Sequence, residues 1–231
     1  LARPRCDRLV VSIFVNPLQF EPGEDLAVYP RDPEGDAEKC RRHGADLLFM
    51  PEELYPAGFS TSVRVAEVSE GLCALQRPHH FQGVATVVAR LFGVVQPSVA
   101  VFGDKDYQQL AVLRRMARDL AMPIEILGGP LIRDADGLAL SSRNKYLRPD
   151  DRRRALSLFR ALTAMANSDL VDVSALLALG RSILDVDRLD YLEVLDAESL
   201  KPLTVVDRPA RALVAAVVGR PRLLDNLRLE R

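Results

Sequence analysis

From residue 9 to residue 129, short β-branched apolar runs alternate with amphipathic stretches, and that alternation restricts the fold more than any other feature of the chain. Residues 9–15 read LVVSIFV, a nearly continuous apolar run. Such a run predicts a strand buried on both faces of a parallel sheet. Asn16-Pro17 ends it. Residues 33–43 are polar with apolar spacing and stop at Gly44, as a helix with a C-terminal glycine does. Further strands are predicted at 46–50, 99–102 and 124–127, and further helices at 83–95 and 106–120. The last of these places Leu110, Leu113, Ala117 and Leu120 on one side. Parallel strands joined by helices require right-handed crossovers. The expected fold class is therefore α/β, a Rossmann-like doubly wound parallel sheet.

Gly128-Gly129-Pro130 punctuates this pattern, and the domain boundary is placed there. Residues 1–129 are expected to form the Rossmann-like domain, and residues 130–231 a second, smaller α+β domain. Within the latter, helices are predicted at 148–166 and 173–184. Strand-like runs follow at 189–195, 211–218 and 222–227, consistent with an antiparallel sheet.

The net charge is −1, so no global basic field points to nucleic acid or to an anionic membrane, and neither is expected as a partner. Arg152, Arg153 and Arg154 read as a solvated helix face. The longest apolar candidate, residues 84–102, is broken by Arg90, Gln96 and Pro97. It falls short of the roughly 20 uninterrupted residues a membrane span needs. Cys6, Cys40 and Cys73 are odd in number and outside metal-ligand spacing, which fits reduced thiols in a cytoplasmic protein. The chain opens Leu-Ala-Arg-Pro without Met and enters an apolar strand almost at once, as a chain missing its beginning would.

Ligands of open parallel sheets bind beyond the carboxyl ends of the strands. Three segments fall there: residues 16–20, 103–106 and 141–144. In the second, Gly103 permits close backbone approach. The following helix start offers N–H groups and partial positive charge, and Lys105 adds a full charge suited to phosphate. By itself the segment also reads as a capped turn with a solvated lysine, because it lacks the Walker glycine pattern. Ser141, Ser142 and Arg143 put two hydroxyls and a guanidinium on one loop, suited to phosphate oxygens or to an ordinary helix entry. Gln19 and Gln109 are neutral amides that can donate to a carboxylate and accept from a hydroxyl without over-stabilising a nucleophile. In Arg77-Pro78-His79-His80-Phe81 one histidine is expected to face the site and the other to lie outside it. His43 reads as a surface residue at a helix end.

Taken together, five stretches resemble the pantothenate synthetase (pantoate–β-alanine ligase) family. They are SIFVNPLQF at 12–20, YPR at 29–31, RPxHFxGVxTVV at 77–88, FGxKDYQQL at 102–110 and DGLALSSRNxYL at 136–147. Their order and rough spacing are the family's, and the likeness is weaker after Asp150. The resemblance implies a nucleotidyltransferase fold with a smaller C-terminal lid domain, ATP as co-substrate with Mg²⁺, and a homodimer. It implies that Gln19 and Gln109 hold pantoate, and that Phe14, Val84, Val87 and Val88 wall its geminal methyl groups. Asn16, Arg77 and His80 would line the same pocket. Gly103 and Asp106 would contact the ribose, with Asp104 beside them where glutamate is more usual. Lys105, Ser141, Ser142 and Arg143 would hold the phosphates and carry the catalysis, Ile132 would make a backbone contact to adenine, and Leu140 would lie in the ATP site. No protein metal ligands are implied. The family's Met-Gly-x-Leu-His-x-Gly-His segment would lie just before Leu1, and none of His43, His79 or His80 replaces it on spacing. Two other readings stay open at this point: a nucleotidyltransferase that adenylates a different small acid, and a non-catalytic remnant.

Overall fold

The computed structural model describes residues 1–230. Their contacts group into two compact units, Leu1–Phe102 with Val112–Gly129, and Gly103–Ala111 with the chain from Pro130 onward.

In the first unit β1 (Val10–Ser12) pairs in parallel with β2 (Leu47–Phe49), with Val11 opposite Leu48. Helix α1 (Pro33–Arg42) makes the crossover. Its start is fixed locally: Pro33 occupies the first turn and the Asp32 carboxylate accepts from the Gly35 amide at 3.0 Å. Glu34 and Asp36 lie in the first turn and Lys39, Arg41 and Arg42 in the last, as the helix dipole favours. Gly44 leaves the helix at φ +73°, a value that suits a residue without Cβ. Helix α2 (His80–Val95) buries Phe81, Val84, Ala85, Val87 and Val88. Beyond it β3 (Val99–Gly103) and β4 (Glu125–Gly129) form a second two-stranded sheet, with α3 (Tyr107–Asp119) running between them. Val112, Leu113, Met116 and Ala117 of α3 are buried.

The fold class is α/β, with two departures from the apolar pattern. The first strand is shorter than its seven-residue run and is not buried on both faces: Val10 and Val11 are half-buried and Ser12 is exposed. The four strands also pair two by two, β1 with β2 and β3 with β4, in place of one continuous sheet. Among the described residues β1 therefore has one ladder partner, and a strand with an unpaired edge is covered less than a central one. Strand β4 runs on through Gly128 and Gly129, past its predicted end.

The second unit holds α4 (Pro149–Asn167), α5 (Val173–Ile183) and an antiparallel sheet of β5 (Arg188–Asp196), β6 (Ala210–Val217) and β7 (Arg222–Leu229) in the order β5-β6-β7. This is the predicted antiparallel α+β arrangement. Asp172 caps α5 by accepting from the Ala175 amide at 2.8 Å. The helices pack on one face of the sheet, where Leu158, Leu162, Met165, Leu176, Leu192, Val214 and Leu229 form one apolar cluster. Each leucine so buried contributes about 2 kcal/mol relative to exposure. The opposite face of β6 and β7 carries Arg211 and Asn226 and meets the turn Asp104–Asp106. Two carbonyls of that turn are bonded from β7, which groups Gly103–Ala111 with the C-terminal part of the chain.

Candidate functional site

In the first unit the loop after β1 lies against α2. Gly83 makes the close approach possible, since a Cβ there would overlap the Leu18 carbonyl. Asn16 is 2% exposed, and its carboxamide is fully used. Its Oδ1 accepts from the Leu18 amide at 3.2 Å and from the Tyr55 hydroxyl at 2.7 Å. Its Nδ2 donates to Gly83 O and to Gln19 Oε1, each at 3.1 Å. A backbone N–H can only donate, so the Leu18 amide fixes which way the Asn16 side chain lies. That in turn directs Gln19 Oε1 toward Asn16 and leaves the Gln19 Nε2 hydrogens as the group Gln19 can offer an acceptor. Asn16 thus braces Gln19. Burial pushes the Tyr55 phenol up to about 12, partly offset by Arg90, so the hydroxyl stays protonated as a donor. Tyr55 also meets the Phe14 ring edge to face, with centroids 6.1 Å apart.

The same loop is tied a second time. His80 Nδ1 lies 2.9 Å from Gln19 O, which only accepts, so this nitrogen carries the proton. The other ring nitrogen faces Arg77 Nη1 at 3.4 Å. Arg77 donates from Nη2 to Gln19 O at 3.1 Å and grips Glu24 with Nε and Nη2 at 2.6 and 2.7 Å. Burial pushes the Glu24 carboxyl up. The Arg77 hydrogen bonds and charge, with the Glu21 backbone bond, outweigh it and hold the carboxyl below the ordinary value. His79 is exposed. Phe14, Asn16, Gln19, Arg77 and His80 are thus gathered through one set of contacts. Val84, Val87 and Val88 are 2%, 6% and 6% exposed, so each presents little surface.

The second unit contains the turn Asp104–Asp106, entered from Gly103, where a Cβ would meet nothing within 4 Å. No side chain caps this turn. Lys105 Nζ lies 3.3 Å from Asp106 Oδ1, and Gln109 is half-buried in the first turn of α3. Asn226 Nδ2 donates to the carbonyls of Asp104 and Lys105. Further along, residues 132–140 form a tight hairpin. Arg133 bridges Ala139, the Leu140 amide donates to Ile132 O at 2.9 Å, and Gly137 turns the chain at φ +97°. Ile132 and Leu140 are 60% and 46% exposed at its open end. Arg133 anchors the hairpin. Its Nη1 and Nη2 donate to the two Asp225 oxygens at 2.7 and 2.8 Å, and its guanidinium stacks 3.7 Å from the Phe159 centroid. Ser141 follows in extended conformation. Its Oγ accepts from the Arg143 amide at 3.2 Å and opens the turn Ser142–Tyr146, in which Ser142 is exposed. The Ser141 hydroxyl hydrogen is still available to donate.

Sequence reasoning missed Glu24, Tyr55, Arg133, Arg211, Asp225 and Asn226. Each acts by bracing a segment from a distant position. An isolated Glu in a polar loop or an Asn within an apolar strand carries no local signal for that role. The one available hint was Asp225-Asn226 interrupting the apolar strand after 222, since polar residues buried in a strand need partners.

Residues 1–228 match the family model described as pantoate-beta-alanine ligase. Pantothenate synthetase of Pseudomonas entomophila strain L48 is 53% identical over 99% of this chain and 83% of its own length. The same enzyme of Oleidesulfovibrio alaskensis is 50% identical over 99% and 84%. The crystal structure of pantothenate synthetase from Thermus thermophilus matches with a TM-score of 0.92 and 48% identity, covering 98% of this chain and 85% of that one. A Francisella tularensis pantoate-beta-alanine ligase, solved with beta-gamma ATP and beta-alanine, matches with a TM-score of 0.77 and 30% identity over 98% and 81%.

Proposed function

The chain belongs to the pantoate–β-alanine ligase family, and from that premise we infer how its residues share the ATP-dependent joining of pantoate to β-alanine. The carboxylate of pantoate attacks the α-phosphorus of ATP in line and pyrophosphate leaves, giving a pantoyl-adenylate. The β-alanine amine then attacks the mixed anhydride and AMP leaves. Positioning and positive donors carry the first step, because charge gathers on the non-bridging oxygens.

Gln19 offers its Nε2 hydrogens to the pantoate, in the orientation that Asn16 imposes. This oriented amide is the observation that carries the reading. A neutral donor holds the carboxylate without quenching its nucleophilicity. Gln109 is assigned to the same substrate. Phe14, Val84, Val87 and Val88 are assigned to its methyl groups, and Arg77 and His80 hold the Gln19 backbone. Lys105, Ser141, Ser142 and Arg143 are assigned to the phosphates, and Gly103, Asp104 and Asp106 to the ribose side of ATP. Ile132 and Leu140, exposed at the hairpin mouth, are assigned to the adenine. Residues 1–129 are read as the nucleotide- and pantoate-binding domain, and 130–231 as the smaller C-terminal domain. Mg²⁺ is read as entering with ATP, held mainly by phosphate and water. There it would neutralise phosphate charge. A homodimer and a cytoplasmic setting complete the reading. Cys6, Cys40 and Cys73 are free thiols.

The test is pantoate-dependent ATP–pyrophosphate exchange against a panel of hydroxy acids, followed by β-alanine-dependent release of AMP. Exchange with pantoate in the absence of β-alanine is expected. AMP release only when both substrates are present, with no exchange, would overturn the adenylate route.

A further inference from the structure

The turn that carries Lys105 is bonded from the far end of the chain. Asn226, on β7, is 3% exposed, and its Nδ2 donates to Asp104 O at 2.9 Å and Lys105 O at 3.0 Å. Its Oδ1 accepts from Arg211 Nη1 at 3.1 Å. Arg211 is itself set by the Tyr107 ring, 3.9 Å below its guanidinium, and by Asp104 Oδ2 at 3.7 Å. A guanidinium has no acceptor, so the amide cannot be the other way round. Asn is matched to this place chemically: one end must accept from a cation while the other donates to two carbonyls. A carboxylate of the same shape keeps the first bond and repels both carbonyls.

We propose that Asn226 is a positioning residue for the adenylation step, fixing the backbone from which Lys105 reaches phosphate. This rests on the assignment of Lys105 to the phosphates. The link is specific to direction. The carbonyls of Asp104 and Lys105 flank the Lys105 Cα, so holding both fixes the plane of the peptide on each side of it. Releasing them lets the ammonium wander, and displacement of a positioned group by about 1 Å costs up to about 100-fold in rate.

The experiment compares Asn226→Ala, Asn226→Asp, Asn226→Ser, Lys105→Met and the double variant Asn226→Ala/Lys105→Met, by pyrophosphate exchange and thermal melting. Leu229→Ala, a buried cluster residue on the same strand, controls for lost stability alone. Asn226→Ala and Asn226→Asp are expected to slow exchange at saturating substrates about 10- to 100-fold, with the KM for pantoate within about twofold of wild type. Asn226→Ser, which keeps one donor, should fall between them and wild type. Asn226→Asp retains its Arg211 partner and so keeps the fold if Asn226→Ala does not. In the Lys105→Met background, Asn226→Ala should add less than about twofold, because groups acting through one another are not additive. Normal exchange by Asn226→Ala and Asn226→Asp, full additivity with Lys105→Met, or an equal loss in Leu229→Ala would overturn the positioning role while leaving Lys105 in place. Normal exchange by Lys105→Met would instead remove Lys105 from the phosphates, and this proposal with it.

Discussion

Glu24 and Arg77, fifty-three residues apart, are joined by two hydrogen bonds of 2.6 and 2.7 Å, and the same guanidinium holds the carbonyl of Gln19. The pair is a clasp on the loop that presents the candidate pantoate amide. With side chains 17% and 25% exposed, it lies between a surface pair and a buried one. Glu24→Gln should cost about 2 kcal/mol. It should also raise the KM for pantoate more than that for ATP.

The clasp has a pH signature. The Glu24 carboxyl is held below its ordinary value, so its folded-state pKa lies below its unfolded one. Such a group stabilises the fold fully above the unfolded value, near 4.3 for a glutamate. That stability is lost as pH falls through the lower, folded value. Urea unfolding of wild type and Glu24→Gln should therefore differ by a constant amount above about pH 5.5 and converge below about pH 4. A gap that persists unchanged to about pH 3 would show that Glu24 acts by shape and not by charge.

Gly83 and Gly93 sit on the same helix and should respond in opposite directions. A Cβ at Gly83 would overlap Leu18 O and lie 2.7 Å from the Gln19 amide nitrogen, both backbone atoms. Gly83→Ala should destabilise by about 1–3 kcal/mol, as overpacking does, and weaken pantoate binding by displacing Gln19. At Gly93 a Cβ meets nothing within 4 Å, so Gly93→Ala should stabilise by about 0.5–1 kcal/mol. Thermal melting of the two variants checks both. Equal shifts would mean that the loop does not rest on the helix.

Much of this was legible in the residues, for reasons that differ by position. Helix α1 was legible because each of its signals is local: Asp32 caps, Pro33 starts and Gly44 stops. The antiparallel sheet was legible because Leu, Val and Ala recur through three successive stretches, in a nearly continuous run in β6 and interspersed with polar residues in β5 and β7. Strand β1 was over-read. A continuous run of apolar residues reports burial potential, whereas actual burial depends on which strands become neighbours, and β1 has one among the described residues. The candidate site residues Gln19 and Lys105 were nameable as chemistry. Their orientation was not, because it depends on Tyr55, which bonds the Asn16 that turns Gln19, and on Asn226, and both reach in from separate elements. Hydrogen bonds across 39 or 121 positions leave no spacing pattern to read.

Lys105 is the charge assigned to the triphosphate, and its ammonium has Asp106 Oδ1 at 3.3 Å as a neighbour. Lys105→Met keeps the stem and deletes the charge. Pyrophosphate exchange should fall about 100- to 1,000-fold, the usual cost of one positioned donor to developing charge, while the melting temperature stays within about 2 °C. Lys105→Arg should recover little, since a planar fork does not reproduce a compact ammonium at the same distance.

Arg133 and Asp225 hold the hairpin whose mouth is assigned to the adenine. The carboxylate is 3% exposed and the guanidinium 17%, joined by two short bonds, with the guanidinium stacked on Phe159. Asp225→Asn leaves a desolvated guanidinium without its countercharge, a change that costs about 3–5 kcal/mol in buried pairs. The hairpin is short and gains little from its own backbone bonds, so it should lose order before the strands of the sheet do. Hydrogen exchange should accordingly rise at the Asp134 and Leu140 amides, which the hairpin bonds protect, ahead of those in β6. The KM for ATP should rise more than that for pantoate, because Ile132 and Leu140 border the hairpin mouth. Uniform deprotection of hairpin and sheet together would show that the pair stabilises the whole unit and does not serve the hairpin in particular.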